Sequence, residues 1–182
     1  MERIAPPDEI VAFWREAGSD RWFSADEGFD QICRDRFLPT YEAAARGDLD
    51  SWQASPESAL ALVLLLDQFS RNMFRGSRRI YGTDPAALAV AEQATAQGFD
   101  SLVDPLFRAF FYLPFMHSED LLHQARSVSL YEALGDAESL RWARHHHDIV
   151  ARFGRFPHRN ALLGRRTIPE EEAFLATSDF KG

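Results

Sequence analysis

Apolar residues recur at three- and four-residue spacing along most of the chain. The same punctuation surrounds each run: a polar cap, Pro at the first helical position, the apolar-periodic stretch, then Gly past the end. This pattern predicts eight helices. The first runs from Pro7 to Ala17, with Ile10, Phe13, Trp14 and Ala17 on one face and Gly18 as its stop. The second spans Ala25 to Arg46, turns Phe29, Ile32, Cys33 and Phe37 inward, and should kink before Pro39. Ser55-Pro56-Glu57 opens the third, which continues to Phe74 and stops at Gly76; Asp84-Pro85 opens the fourth, an Ala-rich helix ending at Gly98. Asp104-Pro105 starts a short aromatic helix from Leu106 to Leu113, which Pro114 breaks. Ser118-Glu119-Asp120 caps a long helix to Leu134, Asp136 caps the next as far as Gly154, and Pro169 opens the last, Glu170 to Ala176.

No run of alternating β-branched residues bounded by turns is present, so no sheet is expected. The fold class is all-α: antiparallel helix pairs arranged as a bundle or as a tetratricopeptide-like right-handed superhelix. No clean period of about 34 or 40 residues distinguishes the two.

Length and composition narrow this further. At 182 residues with 46% apolar content, residues 1–182 are expected to form a single helical domain. The one cysteine, Cys33, excludes an intramolecular disulfide and any zinc site with two or more cysteine ligands, and it fits a reducing compartment. The N-terminal residues lack the basic and apolar regions of a secretory signal. The longest apolar run, Ala59 to Leu66, is eight residues. A membrane span needs about 20. A cytoplasmic location with no membrane association is expected.

Charge is unevenly placed. The net charge is −8, yet residues 141–166 hold seven Arg and a single acid, Asp148, while residues 1–57 hold 13 acids and six Arg. Arg71, Arg75, Arg78 and Arg79 form a second basic cluster. Overall acidity argues against a nucleic-acid partner, and the local clusters point to a basic cleft or face.

Three stretches carry candidate chemistry. The apolar third helix runs directly into Asp67-Gln68-Phe69-Ser70-Arg71-Asn72, where Asp67 and Arg71 share a face, as do Gln68 and Asn72. The buried helix would deliver Asp67 and Arg71 to the floor of a cleft, or they form a surface pair. Met116-His117-Ser118-Glu119-Asp120 places an imidazole near the start of the sixth helix, whose first-turn acids complement the helix dipole. In the seventh helix Trp142, His146, Ile149, Val150 and Phe153 share a face. His117-x-x-Asp120 and His145-x-x-Asp148 repeat a spacing used in metal-binding bundles, but such sites supply more Glu, so no metal and no cofactor is expected. Finally Arg155-Phe156-Pro157-His158-Arg159-Asn160 follows a helix end with guanidinium, imidazole and amide groups, the set that recognises carboxylate or phosphate.

The runs Leu66–Gly76, Tyr112–Asp120 and Ala151–Asn160 resemble the signatures of domain-of-unknown-function family 924, a mostly bacterial family, and the likeness extends from Ile10 to Leu175. The resemblance implies a tetratricopeptide-like helical fold and brings no established activity. Ser70 stands where that pattern has Pro, leaving open whether the third helix kinks before Arg71.

The leading expectation is a cleft lined by Asp67, Gln68, Arg71, Asn72, His117, Glu119, Asp120, His146, Arg155, His158, Arg159 and Asn160 that binds a small anionic molecule. The rival is an adaptor that binds a peptide or protein on a concave helical surface. A hydrolase using His117 or His158 as acid or base comes third, with no G-x-S-x-G, H-E-x-x-H or phosphate loop to support it.

Overall fold

Helix α1 (Pro7–Ala17) starts with Pro at its first position, where the missing N–H costs nothing, and it buries Ile10, Val11, Phe13 and Trp14. The computed structural model describes residues 3–177, and every regular element among them is helical. A single turn, α2 (Ser19–Trp22), follows Gly18. Asp26 caps α3 (Glu27–Ala45) by accepting from the N–H groups of Gly28 and Phe29 at 3.0 and 3.1 Å. Pro39 lies inside α3 without ending it. Ile32, expected inward, is 43% exposed. The buried stripe runs instead through Phe29, Asp30, Cys33, Phe37, Thr40 and Tyr41, and Ile32 sits about 100° around the helix from Cys33.

The predicted third helix is three elements. Helix α4 (Pro56–Val63) passes into a π-helical turn, Leu64–Phe69, and then into α5 (Ser70–Met73). Helix α6 (Asp84–Ala96) follows, and the aromatic helix after Asp104 is a 3₁₀ segment, Pro105–Phe111. The chain then enters α7 (Leu113–Met116).

Two compact units emerge, Met1–Pro114 and Phe115–Gly182, with the division inside α7. In the first, α1 and α6 pack on α4, and α3 packs on α5 and the π-turn. Trp14 touches Phe69 and Phe110 at ring-centroid distances of 5.1 and 6.1 Å, which joins α1 to the π-turn and the 3₁₀ segment.

In the second unit, α8 (Leu121–Leu134) and α9 (Ala137–Phe153) form an antiparallel pair. Gly135, at φ +78°, ends α8 in the left-handed conformation that a side chain would strain. Asp136 then caps α9, its Oδ1 accepting from Glu138 and Ser139 N–H at 3.1 and 3.2 Å. Trp142, expected on the inner face of α9, is 41% exposed, and Ala143 is buried in its place. A 3₁₀ turn (Pro157–Arg159) leads to α10 (Asn160–Leu163) and α11 (Pro169–Thr177). Ile149, Val150 and Phe156 form the apolar centre, with Phe153 and Phe174 packed on it. No helix among the described residues is long and apolar enough to cross a membrane.

Candidate functional site

The sequence-predicted residues divide between the units: Asp67, Gln68, Arg71 and Asn72 lie in the first, and the remaining eight lie in the second.

In the first unit the all-apolar run Leu60–Leu66 is buried, and the π-turn carries that burial on to Asp67, which is completely enclosed. A π-turn inserts one residue into the helix and disrupts the regular ladder. Here side chains meet the carbonyls of the widened turn. The Ser70 hydroxyl donates to Leu66 O at 3.0 Å and Asp67 O at 2.9 Å, Thr83 donates to Leu66 O at 2.6 Å, and Arg71 Nη1 donates to Asp67 O at 2.6 Å. The chain therefore widens ahead of Ser70. Arg71 Nη1 also lies 3.2 Å from Asp67 Oδ1 and 3.0 Å from Asp84 Oδ1, and Gln68 Nε2 donates to Asp67 Oδ2 at 2.6 Å. Burial alone would lower the Arg71 pKa, but Asp67 and Asp84 outweigh it and raise the pKa. Asn72 donates to Asp30 Oδ1 at 2.8 Å, and Arg75 Nε reaches Asp30 Oδ2 at 2.7 Å. The charges of this centre answer one another.

In the second unit the imidazoles gather around one aromatic ring. His146 and His158 each lie 5.6 Å from the Phe156 centroid, the Arg159 guanidinium lies over the same ring at 4.7 Å, and His117 is 6.5 Å from His146. His146 Nδ1 is 2.8 Å from Trp142 O. A carbonyl only accepts, so Nδ1 carries the proton and the neutral ring presents Nε2 as an acceptor. Burial pushes His146 down to about 3, reinforced by His117, His145 and His158. Burial likewise pushes His158 down to about 3, with Arg159, His117 and Arg165 adding to the shift and Glu119 opposing it.

The segment 116–118 is held along its length. Gln124 Nε2 donates to Met116 O and Ser118 O, both at 2.6 Å, and Arg159 Nη2 donates to His117 O at 2.9 Å. Asp120 is the α8 cap, accepting from Leu122 N–H at 2.7 Å. Glu119 binds Arg165 through both oxygens at 2.7 and 2.9 Å and accepts the Phe156 N–H at 2.7 Å. Burial would raise the Glu119 pKa, and these bonds outweigh it and lower it.

Arg155 and Asn160 converge on Glu171, a residue absent from the predicted set. Its carboxylate accepts from Arg155 at 2.6 and 2.9 Å, from Asn160 Nδ2 at 3.0 Å and from Ile168 N–H at 3.0 Å. The Arg155 hydrogen bond is the chief reason its pKa falls to about 2. The only local sign of Glu171 is a Pro169 opening followed by three Glu, of which Glu171 turns inward to 1% exposure.

Among the described residues no group of three or more His, Cys, Asp or Glu side chains is placed to hold a metal ion. The arrangement can offer guanidinium and imidazole groups to a small polar ligand.

A solved structure of a protein of unknown function, ATU0120 from Agrobacterium tumefaciens, is similar to this chain at 49% identity, with a TM-score of 0.91, covering 94% of this chain and 97% of that one. A search of the curated proteins found no match. The model of a family described as bacterial proteins of unknown function, DUF924, matches residues 10–179. The chain belongs to that family.

Proposed function

We propose that this protein binds a small anionic ligand at the imidazole and guanidinium cluster of its second unit. The observation that carries this reading is that His146, His158 and Arg159 all surround the Phe156 ring, within a field to which Arg159 and Arg165 contribute positive potential at His158. Arg159 and Arg165 give the surroundings of His158 a potential that favours negative charge, opposed by Glu119, which is itself paired with Arg165. The role is narrower than the sequence suggests. Arg155 and Asn160 are engaged at Glu171, Glu119 at Arg165 and Asp120 at a helix start, so they serve as supports. A pKa near 3 makes His158 a poor proton acceptor at neutral pH, which weighs against a hydrolase that uses it as base.

The test is thermal melting with phosphate, sulfate and citrate at millimolar concentration against chloride of matched ionic strength. Binding to the native state raises the midpoint. We expect an anion-specific rise that Arg159→Ala removes. No rise in the parent protein contradicts the proposal.

One observation favours the adaptor as a second reading. The first unit has a surface groove of about 420 Å³ in which the 68%-exposed Leu102 stands beside the polar side chains of Arg15, Glu57 and Asp104, with Val11, Leu60 and Phe107 buried beneath. Labelled-peptide library binding that is lost in Leu102→Asp would support it.

A further inference from the structure

Helix α11 is held in place by few side chains. Of its nine residues Glu171 alone is buried, Phe174 and Leu175 are half-buried and the other six are exposed. A helix this short is marginal on its own, so its position depends on those anchors. Two of them meet the segment that carries the imidazole cluster. Glu171 accepts from Arg155 and Asn160, and so ties down both ends of the turn that presents His158 and Arg159. Arg155 Nη2 also donates to Arg166 O at 2.8 Å, on the approach to α11. Phe174 stands 5.2 Å from Phe153 and packs on the apolar group containing Phe156, the ring around which His146, His158 and Arg159 gather. Helix α11 also packs directly on the turn Pro157–Arg159. His146 and Arg159 are 8% and 7% exposed, so a phosphate-sized ion meets them only when part of this packing opens.

Resting on the anion-binding reading above for what enters, we infer that α11 is a strap over the imidazole cluster, which undocks as Glu171 and Phe174 let go and thereby admits the ligand. Local opening draws on the elements with the least burial, and α11 buries one residue where α8 buries three and α9 four. Loss of the Glu171 bonds frees Arg155 and Asn160 together, so the strap and the turn beneath it loosen as one.

The test pairs amide hydrogen exchange with histidine acylation by diethyl pyrocarbonate, both read by mass spectrometry on the full chain at neutral pH. The reagent attacks an unprotonated ring nitrogen, so buried His146 reports opening, and half-buried His147 beside it serves as the reference. In the parent, the amides of α11 should exchange faster than those of α8 and α9, and His146 acylation should follow α11. Glu171→Gln keeps an acceptor for Asn160 and removes the ion pair with Arg155. It should speed α11 exchange and His146 acylation together by about tenfold relative to His147, the scale of one charge-assisted hydrogen bond, with α8 and α9 unchanged. Phe174→Ala should act the same way through the other anchor. Faster α11 exchange with His146 acylation unchanged overturns the inference, because the strap then opens without uncovering the cluster. Exchange in α8 and α9 that rises with α11, or α11 amides in the parent as protected as theirs, overturns it as well, since the unit then opens only as a whole. Acylation that rises as expected while phosphate fails to slow it in any of the three proteins leaves the strap standing and sinks the anion reading.

Discussion

The polar centre at the π-turn and the imidazole cluster around Phe156 are both buried, and they meet the cost of burial in opposite ways. At the π-turn the groups stay ionised and pair: Arg71 lies between Asp67 and Asp84, and Asp30 receives Arg75 and Asn72. Around Phe156 the ionisable rings give up their charge, with His146 and His158 held near 3. A closed set of ion pairs has met its hydrogen-bonding capacity and fixes local geometry. Neutral imidazoles carry no charge that must be paired, and a nearby anion can raise their proton affinity again. The first arrangement suits scaffold. The second is the one for which we propose recognition.

Arg71→Ala gives the largest expected effect and asks whether the first centre is scaffold. Removing the guanidinium strands Asp67, which is completely buried, so the loss should be about 3–5 kcal/mol by chemical denaturation. A loss below about 0.5 kcal/mol, the range of an exposed pair, would break the comparison.

Acid separates the two strategies next. The imidazoles of His146 and His158 stay neutral in the folded protein down to about 3, whereas in the unfolded chain they take up protons below their ordinary 6.5. The unfolded state binds more protons in that window, so stability is full above it and falls as pH drops through it. Each ring contributes a slope of up to about 1.4 kcal/mol per pH unit. Glu171, held at about 2 against an ordinary 4.5, adds a loss of the same sign below 4.5. Urea midpoints measured between pH 7 and pH 4 should therefore decline, and His146→Gln should flatten the upper part of the curve. A flat profile in the parent protein would place the rings in solvent.

Asp120→Ala addresses the supports and should cost about 1 kcal/mol, as loss of a helix cap does, with the anion response intact. Loss of the anion response in this variant would return Asp120 to the ligand. Arg155→Ala sharpens the contrast within the second unit. It removes the bonds to Glu171, so the melting midpoint should fall while phosphate still raises it.

The helices were legible where their signals are local. Pro7, Asp136 and Gly135 each act on backbone groups within a few residues, so the sequence shows α1 and the turn between α8 and α9 at the correct places. The π-turn left no such mark. Leu60 to Leu66 is apolar on every face, so no hydrophobic phase exists in which an inserted residue would register. Ile32 and Trp142 face outward although their spacing suggests the inner face, because one step around a helix separates an inner from an outer position. Among the candidate residues, Asp67 and Arg71 could be paired from their i,i+4 spacing. The Glu171 contacts with Arg155 and Asn160 span 16 and 11 residues and depend on how the chain returns after α10, which no local spacing encodes.

Backbone amide NMR during a phosphate titration tests the central claim most directly, since it reports both regions in one experiment. The account predicts saturable shifts at residues 116–118, His146, Phe156 and 158–160, with residues 64–73 and Asp84 unmoved at matched ionic strength. Shifts confined to the π-turn, or none that saturate, would contradict it.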